Sequence, residues 1–172
     1  MHMTTTPRTL DDAVRRARGL QWMFFDVDGV LTDGGLFYGP HGETLKRFHV
    51  LDGHGLKELK SAGVSIGILS GRQHEAVTTR ARELGFDLVV QGNNQKGVVF
   101  DQLVIDHRLD PMRCGHMGDD TADMEVFARV GFSASVPNAI SEVIAAAHWV
   151  STRPGGSGAV RECCDFILKA RA

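Results

Sequence analysis

Short apolar runs alternate along the chain with longer segments in which apolar residues recur at helical spacing. The first run, Trp22-Met23-Phe24-Phe25, ends at a polar turn, which is typical of a buried strand. Later strand-length runs lie at residues 64–69, 88–90, 114–118 and 132–134, and predicted helices lie at residues 52–62, 74–84, 95–107, 121–129 and 138–147. This alternation predicts an α/β fold with a doubly wound (Rossmann-like), mostly parallel sheet.

An insertion follows the first predicted strand. Residues 36–38 and 43–48 flank the turn Gly39-Pro40-His41-Gly42, which predicts a β-hairpin within residues 34–48. This hairpin and the helix after it fill the chain up to the second strand of the sheet. The sequence therefore leaves no room for a large cap domain.

The two terminal segments differ from the rest of the chain. Residues 1–18 are rich in Thr and Arg, lack the apolar stretch of a secretory signal, and form an N-terminal extension that is either a helix or disordered. Residues 19–172 are expected to form one domain. Its Gly-rich tail, residues 154–162, is either a flexible linker or, because Arg161 follows the glycines, an anion-binding segment.

Composition narrows the class of protein. The chain has 172 residues, of which 42% are hydrophobic and 23% are charged, as in an ordinary soluble domain. A net charge of −2 argues against a nucleic-acid partner, and no apolar run reaches the ~18–20 residues that a membrane span needs. The three cysteines, an odd number, favour a reducing cytoplasm.

Chemically reactive side chains follow four of the predicted strands. Because the carboxyl ends of parallel strands meet at one edge of a sheet, these side chains are expected to share one crevice. They are Asp26 and Asp28, Ser70, Lys96, and the acidic group Asp119, Asp120 and Asp123. Any one of these aspartates alone is more often a helix cap or a turn former. Together they repel one another unless a divalent cation binds between them, and oxygen ligands beside a phosphate favour Mg²⁺.

Four motifs, in order along the chain, resemble those of the haloacid dehalogenase superfamily. The segment Asp26-Val27-Asp28-Gly29-Val30-Leu31-Thr32-Asp33-Gly34 resembles the first motif, and Ser70, Lys96 and residues 118–123 match the second, third and fourth. The long form of the first motif and the tail Gly155-Gly156-Ser157-Gly158-Ala159-Val160-Arg161-Glu162 are similar to the small capless phosphatases of the superfamily. The resemblance covers roughly residues 22–170.

The resemblance implies a phosphatase that hydrolyses 3-deoxy-D-manno-octulosonate 8-phosphate, in lipopolysaccharide precursor synthesis. Asp26 would be the nucleophile that forms an aspartyl-phosphate. Asp28 would protonate the leaving alkoxide and later deprotonate the attacking water. Ser70 and Lys96 would hold the phosphoryl oxygens.

The resemblance also implies a Mg²⁺ site. Its ligands would be the carboxylates of Asp26 and Asp119 and the backbone carbonyl of Asp28. Asp120 and Asp123 would orient Lys96 and the water molecules on the metal.

A sugar-acid phosphate needs cationic side chains around it. Arg72, just after the second strand of the sheet, can bind a carboxylate through two parallel hydrogen bonds. The resemblance adds further substrate-binding positions: His49, Val50, Leu51, Asp52, Gly53, Lys57, Arg80 and Lys96. Arg161, after the tail glycines, is a further candidate for binding the substrate. Lys57 stands where the related enzymes usually have arginine, and about 12 Å of helical rise separates Arg80 from Arg72.

The same resemblance implies a homotetramer. The hairpin around Gly39-Pro40 would pack against neighbouring subunits, and the C-terminal tail would enter a neighbour's active site. Two other functions stay open: a nine-carbon sialic-acid-type 9-phosphate or another sugar phosphate as the substrate, and a receiver-type phospho-accepting signalling domain. His116, in the strand before the fourth motif, is expected to be a hydrogen-bonded core residue.

Overall fold

The computed structural model describes residues 9–172. In chain order the elements are α1 (Leu10–Arg18), β1 (Trp22–Phe25), β2 (Phe37–Gly39), β3 (Gly42–Leu45), α2 (Val50–Ser61), β4 (Ser65–Leu69), α3 (Glu75–Leu84), β5 (Leu88–Val90), α4 (Lys96–His107), β6 (Cys114–Met117), α5 (Thr121–Phe127), β7 (Phe132–Ser135), α6 (Ser141–Ala146), β8 (Trp149–Val150) and α7 (Ala159–Arg171). None of these helices, which belong to the described part of the chain, has both the length and the apolar character that crossing a bilayer requires.

Within the described residues, six parallel strands form the central sheet, in the order β5-β4-β1-β6-β7-β8. Helices α1, α2, α3 and α7 pack on one face of the sheet, and α4 and α5 pack on the other. Because successive strand side chains point to opposite faces, Met23 and Phe25 enter the first layer and Phe24 enters the second. The predicted doubly wound α/β fold is confirmed.

The register of the central strands decides which residues emerge together. Phe25 of β1 pairs with Ile68 of β4 and with Met117 of β6. The residues that follow these three strands therefore leave the sheet side by side at its carboxyl edge. Close packing fixes this register, since a Cβ on Gly67 of β4 would lie 2.4 Å from the ring of Phe24.

The insertion between β1 and β4 consists of the hairpin β2–β3 and helix α2, with no cap domain among the described residues. The hairpin is antiparallel and irregular between Phe37 and Tyr38. It exposes apolar side chains to solvent, namely Leu36, Phe37, Tyr38 and Leu45.

Part of the predicted N-terminal extension belongs to the folded domain. Helix α1 begins after Thr9, whose side chain accepts a hydrogen bond from the backbone N–H of Asp12. Its buried residues, Ala13 and Ala17, pack in the same core as α7. Because alanine is small, this buried face gave only a weak apolar signal in the sequence, and residues 1–8 lie outside the described part of the chain.

The Gly-rich tail, residues 154–162, lies against its own domain. Gly155 and Gly156 are buried on the turn after β1, where a Cβ on either residue would lie within 2.5 Å of backbone atoms of that turn. Helix α7 already begins at Ala159 and packs along α2. The sequence predicted neither this helix nor the two-residue strand β8. The helix was missed because the glycines before it interrupt the helical pattern.

Candidate active site

A tight turn carries Asp26 and Asp28 out of the sheet. Asp26 follows β1 directly, and its backbone N–H donates to the carbonyl of Met117 in β6. The chain then coils through Val27–Leu31, with Gly29 at a φ of +94°. A Cβ on Gly29 would lie 1.9 Å from Oδ2 of Asp119, so only glycine allows the turn and this carboxylate to meet.

Asp26 and Lys96 form a buried ion pair at the carboxyl edge. Lys96 is the first residue of α4, and its Nζ lies 2.9 Å from Oδ1 of Asp26 and 2.6 Å from Oδ1 of Asp123. All three side chains are nearly inaccessible to solvent. The structure thus brings together one cation and two anions that the sequence placed after three different strands.

Asp123 has a complete set of hydrogen-bond donors. Its Oδ2 accepts from the backbone N–H groups of Asp119 and Asp120. Its Oδ1 lies 2.7 Å from Nε2 of His116, which is the hydrogen-bonded core histidine that the sequence predicted. Asp120 is exposed and caps α5 through the backbone N–H of Thr121.

Burial and mutual repulsion dominate the charges of this site. Burial, with the charge of Asp123 added, raises the pKa of Asp26 to about 8, and the same two causes raise the pKa of Asp119 to about 6. Burial would also raise the pKa of Asp123, but its hydrogen bond from His116 and the charge of Lys96 hold that pKa well below the usual range. Opposing burial, the charges of Asp26 and Asp123 raise the pKa of Lys96.

The donor set at this edge fits Mg²⁺. Oxygen atoms of Asp26, Asp119 and Asp123 lie within 4.8 Å of one another, and Lys96 is the cation that contacts two of these carboxylates. Within residues 9–172 Lys96 is the one cation that forms ion pairs with Asp26 and Asp123, so these carboxylates need further positive charge. Hard oxygen ligands favour a hard divalent ion as its source. Asp123 is already fully hydrogen-bonded, which leaves Asp26 and Asp119 as the carboxylates best able to hold the ion.

Lys46 and Arg72 both contact the carboxylate of Asp28. The sequence did not indicate Lys46 as a site residue. Nζ of Lys46, just after β3, lies 2.5 Å from Oδ1 of Asp28 and 2.8 Å from Glu43. Arg72 reaches the same pair, 3.8 Å from Oδ2 of Asp28 and 2.8 Å from Glu43. The Lys46 side chain is only 1% exposed, so the base of the hairpin forms one wall of the site. Looking for reactive side chains directly after the strands of the main sheet could not identify Lys46, because Lys46 follows the hairpin.

Two polar residues support the turn and the neighbouring strand end. Ser70 is buried after β4, and its hydroxyl donates to the backbone carbonyl of Arg72. The amide of Asn138 donates to the carbonyl of Gly29 and accepts from the N–H of Gly155, which joins the turn to the tail. Asn138 follows β7, so it would have been identified if polar residues after that strand had also been considered.

The remaining predicted substrate positions form a second group around α2. Among residues 9–172, Arg72 and Lys96 are the predicted substrate-binding cations that form ion pairs with Asp28 or Asp26. His49 caps α2 through the N–H of Leu51, and Val50, Leu51 and Lys57 are exposed.

The other members of this group have structural partners. Asp52 accepts a hydrogen bond from the N–H of Arg161 and so anchors the start of α7. Gly53 lies under Arg80, whose guanidinium a Cβ would meet at 2.4 Å, and Arg80 pairs with Glu83. The Arg161 side chain pairs with Glu58 and Asp165.

Comparison with known proteins gives a consistent family. The sequence model of the haloacid dehalogenase-like hydrolase family matches residues 87–161. The chain is 38% identical to 3-deoxy-D-manno-octulosonate 8-phosphate phosphatase KdsC of Yersinia pestis over 161 residues, which cover 94% of this chain and 86% of that protein.

Solved structures agree with the sequence relatives. A crystal structure of 3-deoxy-D-manno-octulosonate 8-phosphate phosphatase from Moraxella catarrhalis, in complex with a magnesium ion, a phosphate ion and a KDO molecule, is 36% identical with a TM-score of 0.91. The match covers 95% of this chain and 94% of that chain. The cobalt-bound form of the Haemophilus influenzae phosphatase is also 36% identical, with a TM-score of 0.87 and 91% of each chain covered.

Proposed function

Because this chain belongs to the haloacid dehalogenase-like hydrolase family, we propose that it is a Mg²⁺-dependent phosphatase that hydrolyses 3-deoxy-D-manno-octulosonate 8-phosphate. The contact that carries the proposal is the one between Lys96 and Asp26. A buried ammonium group 2.9 Å from a carboxylate at a strand end pairs a nucleophile with a fixed cation for phosphoryl oxygens. Relatives of that name match nearly the whole chain, which supports this substrate.

In the first step Asp26 attacks phosphorus. A carboxylate oxygen of Asp26 forms a P–O bond while the bond between phosphorus and the sugar oxygen breaks. Asp28 gives its proton to the departing alkoxide, and Lys96 stabilises the charge on the phosphoryl oxygens. The products of this step are the free sugar acid and an aspartyl-phosphate at Asp26.

In the second step a water molecule attacks the phosphorus of the aspartyl-phosphate. Asp28 takes the proton of that water, the bond between phosphorus and the Asp26 oxygen breaks, and inorganic phosphate leaves. Asp26 returns to its carboxylate form. Asp26, Asp119 and the backbone carbonyl of Asp28 would hold the Mg²⁺ ion, which would supply Lewis-acid charge compensation in both steps.

Arg72 is the proposed contact for the carboxylate of the sugar acid. Its side chain is 44% exposed and its guanidinium lies beside Asp28, so one end of the substrate can reach it while the phosphate lies at Asp26. In the free protein Glu43 forms an ion pair with Arg72 at 2.8 Å, and the carboxylate of the substrate would replace Glu43 in this pair. The other predicted substrate contacts have less structural support than Arg72; they are His49, Val50, Leu51, Lys57, Arg80 and Arg161. Packing explains the burial of Asp52 and Gly53.

The assembly is proposed to be a homotetramer formed through the hairpin. Its support is the apolar surface of β2 and β3, since an isolated hairpin seldom leaves several large apolar side chains in water. The proposed entry of the tail into a neighbour's site has no comparable support, because Gly155 and Gly156 pack on their own domain. A cytoplasmic place in lipopolysaccharide precursor synthesis agrees with the free thiols of Cys114, Cys163 and Cys164.

The test is phosphate release from several substrates in parallel, with Mg²⁺ present. The substrates are 3-deoxy-D-manno-octulosonate 8-phosphate, a nine-carbon sialic-acid-type 9-phosphate and glucose 6-phosphate. We expect kcat/KM to be highest for the eight-carbon acid. A higher kcat/KM for the nine-carbon acid, or equal values for all three substrates, would overturn the assignment.

An Arg72→Met variant tests recognition of the carboxylate in the same assay. It should lose about 10- to 100-fold in kcat/KM on the eight-carbon acid, and much less on glucose 6-phosphate, which has no carboxylate. Arg129→Met, at an exposed pair with Asp101, is the matched control and should keep the wild-type preference.

A further inference from the structure

His116 is a fully buried polar residue of the central sheet. It lies in β6, between Phe24 of β1 and Ser133 of β7, and its side chain is 0% exposed. Its ring meets Phe127 of α5 edge-on, with ring centroids 5.9 Å apart. An apolar side chain would fill this position without the cost of desolvating an imidazole.

The two ring nitrogens of His116 have different surroundings. Nε2 lies 2.7 Å from Oδ1 of Asp123, whereas Nδ1 is buried and has no hydrogen-bond partner among residues 9–172. Asp123 is a carboxylate that accepts from Lys96 and from two backbone N–H groups, so Nε2 must carry the hydrogen and donate it. Because leaving Nδ1 unpaired is unfavourable, the one hydrogen bond to Asp123 is the contribution that distinguishes this histidine from an apolar residue.

That hydrogen bond begins an unbroken chain of contacts to the nucleophile. Oδ1 of Asp123 accepts from both His116 and Lys96, and Nζ of Lys96 also lies 2.9 Å from Oδ1 of Asp26. The backbone N–H groups of Asp119 and Asp120 hold only Oδ2 of Asp123. Without His116, the position of Oδ1 would depend on Lys96 alone, and Lys96 must also contact the phosphoryl group.

We propose that His116 is a positioning residue for catalysis, which fixes Oδ1 of Asp123 so that Lys96 stays directed at Asp26 and the transferred phosphoryl group. The role rests on the proposed phosphatase reaction and does not depend on which sugar phosphate is hydrolysed. It acts on the alignment of Lys96 in the transition state, so it affects kcat more than KM.

The experiment compares three substitutions of His116 with p-nitrophenyl phosphate and with 3-deoxy-D-manno-octulosonate 8-phosphate. His116→Leu removes the donor, and kcat should fall about 10- to 100-fold with KM within about twofold of wild type. His116→Gln places an amide N–H near the position of Nε2 and should restore most of kcat. His116→Asn is equally polar, but its amide lies near the position of Nδ1 and should not restore it.

Phe127→Leu is the packing control, because it loosens the contact around the ring and leaves the donor to Asp123 in place. It should keep the wild-type kcat. Equal kcat values for the Gln and Asn variants would overturn the proposal, even if the Leu variant does not fold. A kcat loss in Phe127→Leu as large as that in His116→Leu would also overturn it. Should wild-type protein hydrolyse neither compound, the phosphatase assignment itself fails, which is a different result from unchanged kcat in the His116 variants.

Discussion

Gly29 and Asp119 lie so close that a single added carbon on Gly29 would overlap the Asp119 carboxylate. The distance from a Cβ on Gly29 to Oδ2 of Asp119 would be 1.9 Å, although the two residues follow different strands. The turn after β1 therefore closes directly over the acidic group that follows β6. This contact places Asp26, the proposed nucleophile, and Asp119, a proposed metal ligand, in one site.

Gly29→Ala should remove activity and weaken Mg²⁺ binding. The added methyl group displaces Asp119, and alanine is strained at a φ of +94°. We expect kcat/KM to fall at least about 100-fold, with a loss of about 1–3 kcal/mol in the free energy of unfolding. Steady-state kinetics and urea denaturation measure the two effects.

Gly19→Ala is the matched control for that substitution, since nothing lies within 4 Å of a Cβ at Gly19. It should leave both quantities near wild type. A Gly29→Ala protein with normal Mg²⁺ dependence and normal activity would show that the turn and Asp119 do not need this contact.

Lys46→Met should impair both stability and hydrolysis. It leaves Asp28 and Glu43 without the buried ammonium group that lies 2.5 Å and 2.8 Å from them. Because Asp28 is 20% exposed and partly solvated, we expect a loss of about 2 kcal/mol in the free energy of unfolding, which is less than for a fully buried pair. The rate should fall most for substrates with poor leaving groups, because the proposed proton transfer from Asp28 needs the carboxyl group that Lys46 holds in position.

An exposed ion pair provides the comparison for Lys46. Arg15 is 77% exposed and pairs with Asp12, so Arg15→Met should cost less than about 1 kcal/mol. Equal losses in the free energy of unfolding for Lys46→Met and Arg15→Met would show that Lys46 stabilises the protein no more than an exposed ion pair does.

The metal-free protein should lose stability as the pH rises from about 4 to 8. Asp26 titrates near 3.8 when the chain is unfolded, but burial raises its pKa in the folded protein to about 8. Between these values the folded state binds more protons than the unfolded state, so each increase in pH favours unfolding. The Tm measured without Mg²⁺ should fall more steeply over this range in wild type than in Asp26→Asn, which lacks the group.

Added Mg²⁺ should reverse this trend, because the ion binds the ionised carboxylates and competes with their protons. The increase in Tm on adding Mg²⁺ should be larger at pH 8 than at pH 5, and small in Asp26→Asn. Identical pH profiles for wild type and Asp26→Asn would contradict the assigned cause of the raised pKa.

The sequence was most informative where local pattern and topology coincide. Parallel strands place their carboxyl ends at one edge, so Asp26, Lys96 and Asp123 could be grouped before their distances were known. The doubly wound fold followed from the same alternation of strands and helices. The position of Arg72 beside Asp28 agrees with its place after β4.

Residues whose roles depend on tertiary contacts could not be found in this way. Lys46 reaches Asp28 only because the hairpin bends back over the sheet edge. Asp52 and Gly53 of α2 are buried against α7 and Arg80, respectively. The sequence did not predict α7, because glycines precede it. No local pattern in the sequence contains this information.

Trapping of the phosphorylated residue tests directly whether Asp26 is the nucleophile. The protein is mixed with ³²P-labelled 3-deoxy-D-manno-octulosonate 8-phosphate and Mg²⁺, quenched in acid within one turnover and digested for peptide mapping. We expect acid-stable label on the peptide that contains Asp26, and no label without Mg²⁺ or in Asp26→Asn. Full hydrolysis with no labelled peptide at any quench time, or label on another residue, would show that Asp26 is not the nucleophile.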